Sequence, residues 1–67
     1  MSVLKVIEIL ANSPQSWEDA TQQGITEASK NIKNIRSAYV KDQSAKVTDG
    51  KITNYRVNLK ITFEITH

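Results

Sequence analysis

Cysteine is absent from this 67-residue chain, so neither a disulfide nor a thiolate metal site can brace it. Histidine occurs once, as the terminal His67, which leaves no base for a Ser-His-Asp arrangement. Glycine occurs only as the isolated Gly24 and Gly50, so there is no glycine-rich loop to cradle a phosphate. The carboxylates Glu8, Glu18, Asp19, Glu27, Asp42, Asp49 and Glu64 lack the spacing of a calcium-binding EF-hand loop. No apolar run approaches the roughly 18 residues of a membrane-spanning helix. The first residues lack the basic region, apolar core and small-residue cleavage site of a secretory signal. These absences predict a cytoplasmic, non-enzymatic protein with no metal site and no membrane contact.

What is present is modest. The net charge is +2, with lysines and arginines scattered singly and no interleaved aromatics, so nucleic acid is not an expected partner. The length allows a single domain over residues 1–67. Such a domain buries only about 60% of the surface its unfolded chain exposes. Without disulfides or metal, tight packing or self-association must supply the missing stability.

Three segments separate along the chain. Residues 3–10 are β-branched and apolar and read as a strand. Val3, Lys5, Ile7 and Ile9 fall on one face, and Leu4, Val6, Glu8 and Leu10 on the other, so both faces are expected to meet protein. A loop over 11–15 follows. Ser16 is the expected N-cap of a helix over about 17–33, with Asp19 completing a capping-box variant and Glu18 in the first turn. Trp17, Ala20, Gly24, Ala28, Ile32 and Ile35 form its one apolar stripe. Trp17, at the start of that stripe, suits a core anchor or a stacking platform for a ligand.

The second half predicts a hairpin. Asp49-Gly50 suits a two-residue turn in which both residues take positive φ. After it Tyr55, Val57, Leu59, Ile61, Phe63 and Ile65 alternate with polar residues through Thr66, the pattern of a strand buried on one face. A two-residue turn sets Val40 opposite Leu59, Ala38 opposite Ile61 and Gln43 opposite Arg56. The expected fold is α+β: β-α-β-β, a three-stranded antiparallel sheet with one helix on one face. The last strand spans roughly 50 Å and the helix roughly 25 Å. One helix cannot cover such a sheet, and bare edges invite aggregation, so neighbouring copies are expected to complete the cover. The other face carries Ser37, Tyr39, Lys41 and Gln43 beside Arg56, Asn58, Lys60 and Thr62. That face is either simply hydrated or suited to a small polar or anionic ligand.

Four stretches carry a resemblance: Lys-Val-Ile-Glu-Ile at 5–9, Ser-Pro-x-Ser-Trp-Glu-Asp-Ala at 13–20, Ala-Ser-Lys at 28–30 and Tyr-Arg-Val-x-Leu-x-Ile-x-Phe at 55–63. Together they resemble the dodecins, small flavin-binding proteins that assemble as hollow twelve-subunit shells with helices outside and the sheet inside. The resemblance implies a homo-oligomer, a dodecamer, storing riboflavin or FMN at sites between subunits. It also implies a tryptophan early in the second strand, on which the flavin ring stacks. Ser37 stands at that position, and a serine offers no π-face. The resemblance places Arg56 where a polar residue touches the ring, and Asp42 and Gln43 at a pair of ligand-facing positions. Tyr39 is the candidate replacement platform. The alternative is a dodecin-like shell that holds another small ligand or an ion.

Overall fold

The computed structural model describes residues 2–65. His67 and Thr66, with the expectations attached to them, lie outside the described residues. The chain runs β1 (Val3–Ser13), α1 (Trp17–Ser29), β2 (Ile35–Thr48) and β3 (Lys51–Ile65). The sheet is antiparallel in the order β1-β3-β2, with β3 in the centre. The α+β, β-α-β-β expectation holds.

The core follows from the period-two strand. Val57, Leu59 and Ile61 on the helix side of β3 are fully buried with Ala20 of α1. Ile7, Ile9, Ala11, Trp17, Ala28, Ile35 and Ala38 pack around them. Trp17 serves as an anchor: its ring meets Tyr55 edge-on at a centroid distance of 4.8 Å. Its indole N–H donates to the Ser44 carbonyl at 2.9 Å.

β1 runs three residues further than its apolar run predicts, because polar side chains keep it paired. Asn12 Oδ1 accepts a hydrogen bond from Arg56 Nε at 2.9 Å. The buried Ser13 donates to Asp19 Oδ2 at 2.5 Å. Ser16 is the N-cap, its hydroxyl accepting the Asp19 backbone N–H at 2.9 Å. Asp19 does not close the expected capping box. Its carboxylate accepts from Ser13 and from the Gln23 amide. Ser16→Ala is expected to cost about 1 kcal/mol, a fall in Tm of roughly 4–8 °C for a domain of this size, read by thermal melts at fixed concentration.

α1 ends at Ser29, not near 33. Asn34 takes a left-handed φ of 65°, a conformation asparagine tolerates. Its carbonyl already accepts the Glu64 N–H from β3 at 3.0 Å. The chain is therefore committed to the sheet before the apolar spacing runs out, and Ile35 opens β2.

The hairpin turn is as expected, with Asp49 at φ 53° and Gly50 at φ 77°. Val40 faces Leu59 and Ala38 faces Ile61. Gln43 is a correction. Register shifts near Lys41 and Lys46 place Gln43 opposite Val57, on the helix side, and set Ser44 opposite Arg56. A bulge adds one residue to one strand and so reverses the facing of everything up to the next shift.

One chain is not compact. It measures 51 × 20 × 13 Å with a radius of gyration of 13.7 Å, against about 11 Å for a compact domain of this length. Its surface is 4990 Å², roughly 700 Å² more than the size scaling gives. Val3, Leu4, Val6, Leu10, Tyr39, Val47 and Ile52 are among its exposed large side chains. Among the described residues, no helix is long and apolar enough to cross a membrane.

Candidate functional site

The face of the sheet away from α1 is built as rows across the three strands. Reading β1, β3, β2, the rows are Val6–Thr62–Ser37, Glu8–Lys60–Tyr39, Leu10–Asn58–Asp42 and Asn12–Arg56–Ser44. Four of the five residues expected at a ligand site lie on this face: Ser37, Tyr39, Asp42 and Arg56. Gln43 does not. Asp42 and Arg56 sit in adjacent rows. Ser37 lies six β3 positions from Arg56, roughly 20 Å at 3.3 Å per residue, and Tyr39 four positions, roughly 13 Å. A single chain therefore offers two separated half-sites.

Charge is distributed unevenly over these rows. Arg36 Nε pairs with Glu64 Oε1 at 3.0 Å, and Lys41 reaches across β3 to Glu8 at 3.6 Å. The Glu8 carboxyl is held below its ordinary value, first by a hydrogen bond from the Asn58 side chain, which outweighs the opposing effect of desolvation, and then by the Lys41 and Lys60 charges. With these pairs made, Lys46, Arg56 and Lys60 leave the face net positive against Asp42. Arg56 is held in place by Asn12. Tyr39 is 66% exposed, so its ring is free on one side. The Asn58 Oδ1 atom is buried without a hydrogen-bond partner among the described residues.

Sequence reasoning placed Lys41 on this face but missed Asn12 and the pairing of Lys41 with Glu8. Asn12 was readable, since positions 4, 6, 8, 10 and 12 continue one face of β1. The bulge that turns Asp42 to this face beside Lys41 had no such signal. On the other side of the sheet, a cavity of about 470 Å³ opens between β1 and α1. Ile7, Ile9, Leu10, Ala11, Ala28 and Ile32 line it together with the polar Asn12, Gln23, Glu27 and Asn31, a mixed surface unlike the polar rows.

The dodecin family model matches residues 3–66. The chain belongs to the dodecin family. It is 42% identical over 66 residues to the calcium dodecin of Mycobacterium tuberculosis, covering 97% of this chain and 92% of that one. The solved structure of that calcium dodecin superposes with a TM-score of 0.84 at 39% identity, covering 97% and 93% of the two chains. The dodecin from Streptomyces davaonensis superposes with a TM-score of 0.94 at 26% identity, covering 98% and 97%. The resemblance read in the sequence thus holds for the family and its fold.

Proposed function

We propose that this chain is the subunit of a homo-oligomeric dodecin shell that stores a small ligand between copies, with no catalytic turnover. Self-association is supported by the excess surface and the exposed apolar side chains of one chain. The ligand favoured by the geometry is an anionic, planar molecule of the flavin class. The observation that carries this reading is Arg56, fixed by Asn12 on a face left net positive. Its guanidinium suits the phosphate of FMN. Ser37 cannot stack a flavin ring, and the exposed Tyr39 ring is the platform offered in its place. Because the Tyr39 and Arg56 half-sites lie far apart in one chain, a ligand touching both bridges two subunits.

FMN is expected to bind at least about tenfold tighter than riboflavin, since a charge-assisted hydrogen bond contributes about 1.5–3 kcal/mol. Arg56→Ala is expected to abolish that difference, and Tyr39→Ala to weaken both flavins. Quenching of flavin fluorescence in a titration of flavin-free protein reads all three. Equal affinities for the two flavins in the unaltered protein would remove Arg56 from the site.

A second reading is a hard cation, favoured by Asn58 Oδ1, an acceptor without a partner in the row it shares with Asp42, and by the name of the 42%-identical relative. Calcium takes six to eight oxygens, and the described residues of one chain hold no cluster of three metal-ligating side chains. Copies would have to pool Asp42 and Asn58, against the nearby Lys41 and Lys60 charges. Calorimetry with calcium after chelator treatment tests it: heat from calcium with no flavin quenching selects this reading over the first.

A further inference from the structure

We propose that Trp17, on the helix side of the sheet, is a positioning residue for the ligand rows on the other side, through its grip on the main chain of Ser44. This rests on the flavin reading above and adds to it the residue that holds the β2 part of the site in register.

That part of the site needs holding. β2 pairs with β3 alone, and its residues 42–46 lie between two register shifts. At one end the register skips Lys41 of β2, and at the other it skips Thr53 of β3. A slip of one residue that absorbed Lys41 would turn the whole stretch over. Gln43 would then stand opposite Arg56, and Asp42 and Ser44 would leave the ligand side.

Two contacts hold the stretch as it is. Thr53 Oγ1 donates to the Lys46 carbonyl at 3.3 Å and closes the far end. In the middle, the Trp17 indole N–H donates to the Ser44 carbonyl at 2.9 Å. The indole is itself a fixed point. Trp17 is the first residue of α1, directly after the Ser16 cap. Its ring meets Tyr55 edge-on at 4.8 Å, and Tyr55 stands opposite Ala45 on β2 and Ser13 on β1. Ser44 is thus gripped by its main chain from the helix side, while its side chain shares the ligand-side row of Arg56 and Asn12. One hydrogen bond thereby ties the placement of α1 to the geometry of a site on the opposite face.

The test removes the donor and keeps the ring. Trp17→Phe retains an aromatic ring against Tyr55, and circular dichroism checks that it folds. Trp17→benzothienylalanine, made by chemical synthesis, puts sulfur in place of the N–H and preserves the shape of the side chain. The net contribution of one such hydrogen bond is a factor of about two to ten. In both variants, hydrogen exchange over residues 42–46 of the flavin-free protein is expected to quicken by about that factor, with the amides that pair β1 to β3 unchanged. FMN and riboflavin are both expected to bind more weakly by about the same factor. Their ratio is expected to persist, because Arg56 is carried by β3 and held by Asn12. Ala28→Gly weakens α1 away from Trp17 and is expected to lower Tm with both affinities unchanged. Unchanged exchange over 42–46 in the benzothienylalanine variant, unchanged flavin affinity there, or an equal loss of affinity in Ala28→Gly overturns the inference. An unaltered protein that binds neither flavin overturns the flavin reading instead, and the exchange measurement then still decides whether Trp17 holds the stretch.

Discussion

Leu59→Asp is expected to yield a chain that neither folds nor assembles. Leu59 lies mid-way along the central strand, fully buried, with Ile9 on one side and Val40 on the other. Truncating such a leucine to alanine costs about 2–5 kcal/mol. An aspartate at the same place adds an unpaired buried charge, costing several kcal/mol more. A domain of this length has roughly 3–10 kcal/mol of total stability, so the substitution exceeds what the fold holds in reserve. Ile61→Asp, one row along and equally buried, is expected to behave the same way. Lys60→Gln, between them and facing the other side, is expected to fold. Far-UV circular dichroism and size-exclusion chromatography read the result together. A stable, soluble, folded monomer of Leu59→Asp would refute both the core assignment and the link between folding and assembly.

The second large effect is expected at Gly24, where the helix touches the sheet. A Cβ at this position would lie 2.9 Å from Leu59 Cδ1, 3.1 Å from Ala11 Cβ and 3.5 Å from Ile9 Cδ1. Gly24→Ala sets two effects against each other. Helix propensity favours alanine by about 1 kcal/mol. The Leu59 methyl can swing aside, but Ala11 Cβ is tied to the β1 backbone and must shift with it. A small net change in Tm is expected. Gly24→Leu adds three further carbons with no space to enter, and overpacking of this kind costs about 1–3 kcal/mol. The expected fall in Tm is roughly 5–20 °C, compared at one protein concentration because assembly makes Tm concentration-dependent. Combining Gly24→Ala with Ala11→Gly is expected to recover stability beyond the sum of the single changes, since the two Cβ atoms compete for one space. Strict additivity would show that the helix does not rest on β1 at Ala11.

Both predictions act on the side of the sheet facing α1, which is why they bear on folding before ligand binding. The ligand rows lie on the other side, where Tyr39 and Arg56 are exposed in the chain. Substitutions there are expected to alter affinity with little effect on subunit stability. The separation is a property of a single-layer sheet, in which successive side chains point to opposite faces.

The sequence by itself determined the element order, the buried face of β3 and the Asp49-Gly50 turn. Each of these is encoded locally, in period-two alternation or in two residues that must tolerate positive φ. It also carried the family, through motifs that run nearly from end to end. The Ser16 cap was legible for the same reason, its partner being three residues away. Only the tertiary structure decided where Gln43 and Asp42 point. A bulge depends on how two strands settle against each other, and no local pattern in β2 announces it. The end of α1 was likewise a tertiary outcome: the apolar spacing continues through Ile32 and Ile35, but β3 takes Asn34 into the sheet first. Asp19 left its expected capping partner because Ser13, buried at the end of β1, needed an acceptor. The distance between the Ser37 and Arg56 half-sites appears only once the register is known. That distance is what makes the proposed site a property of two subunits and not of one.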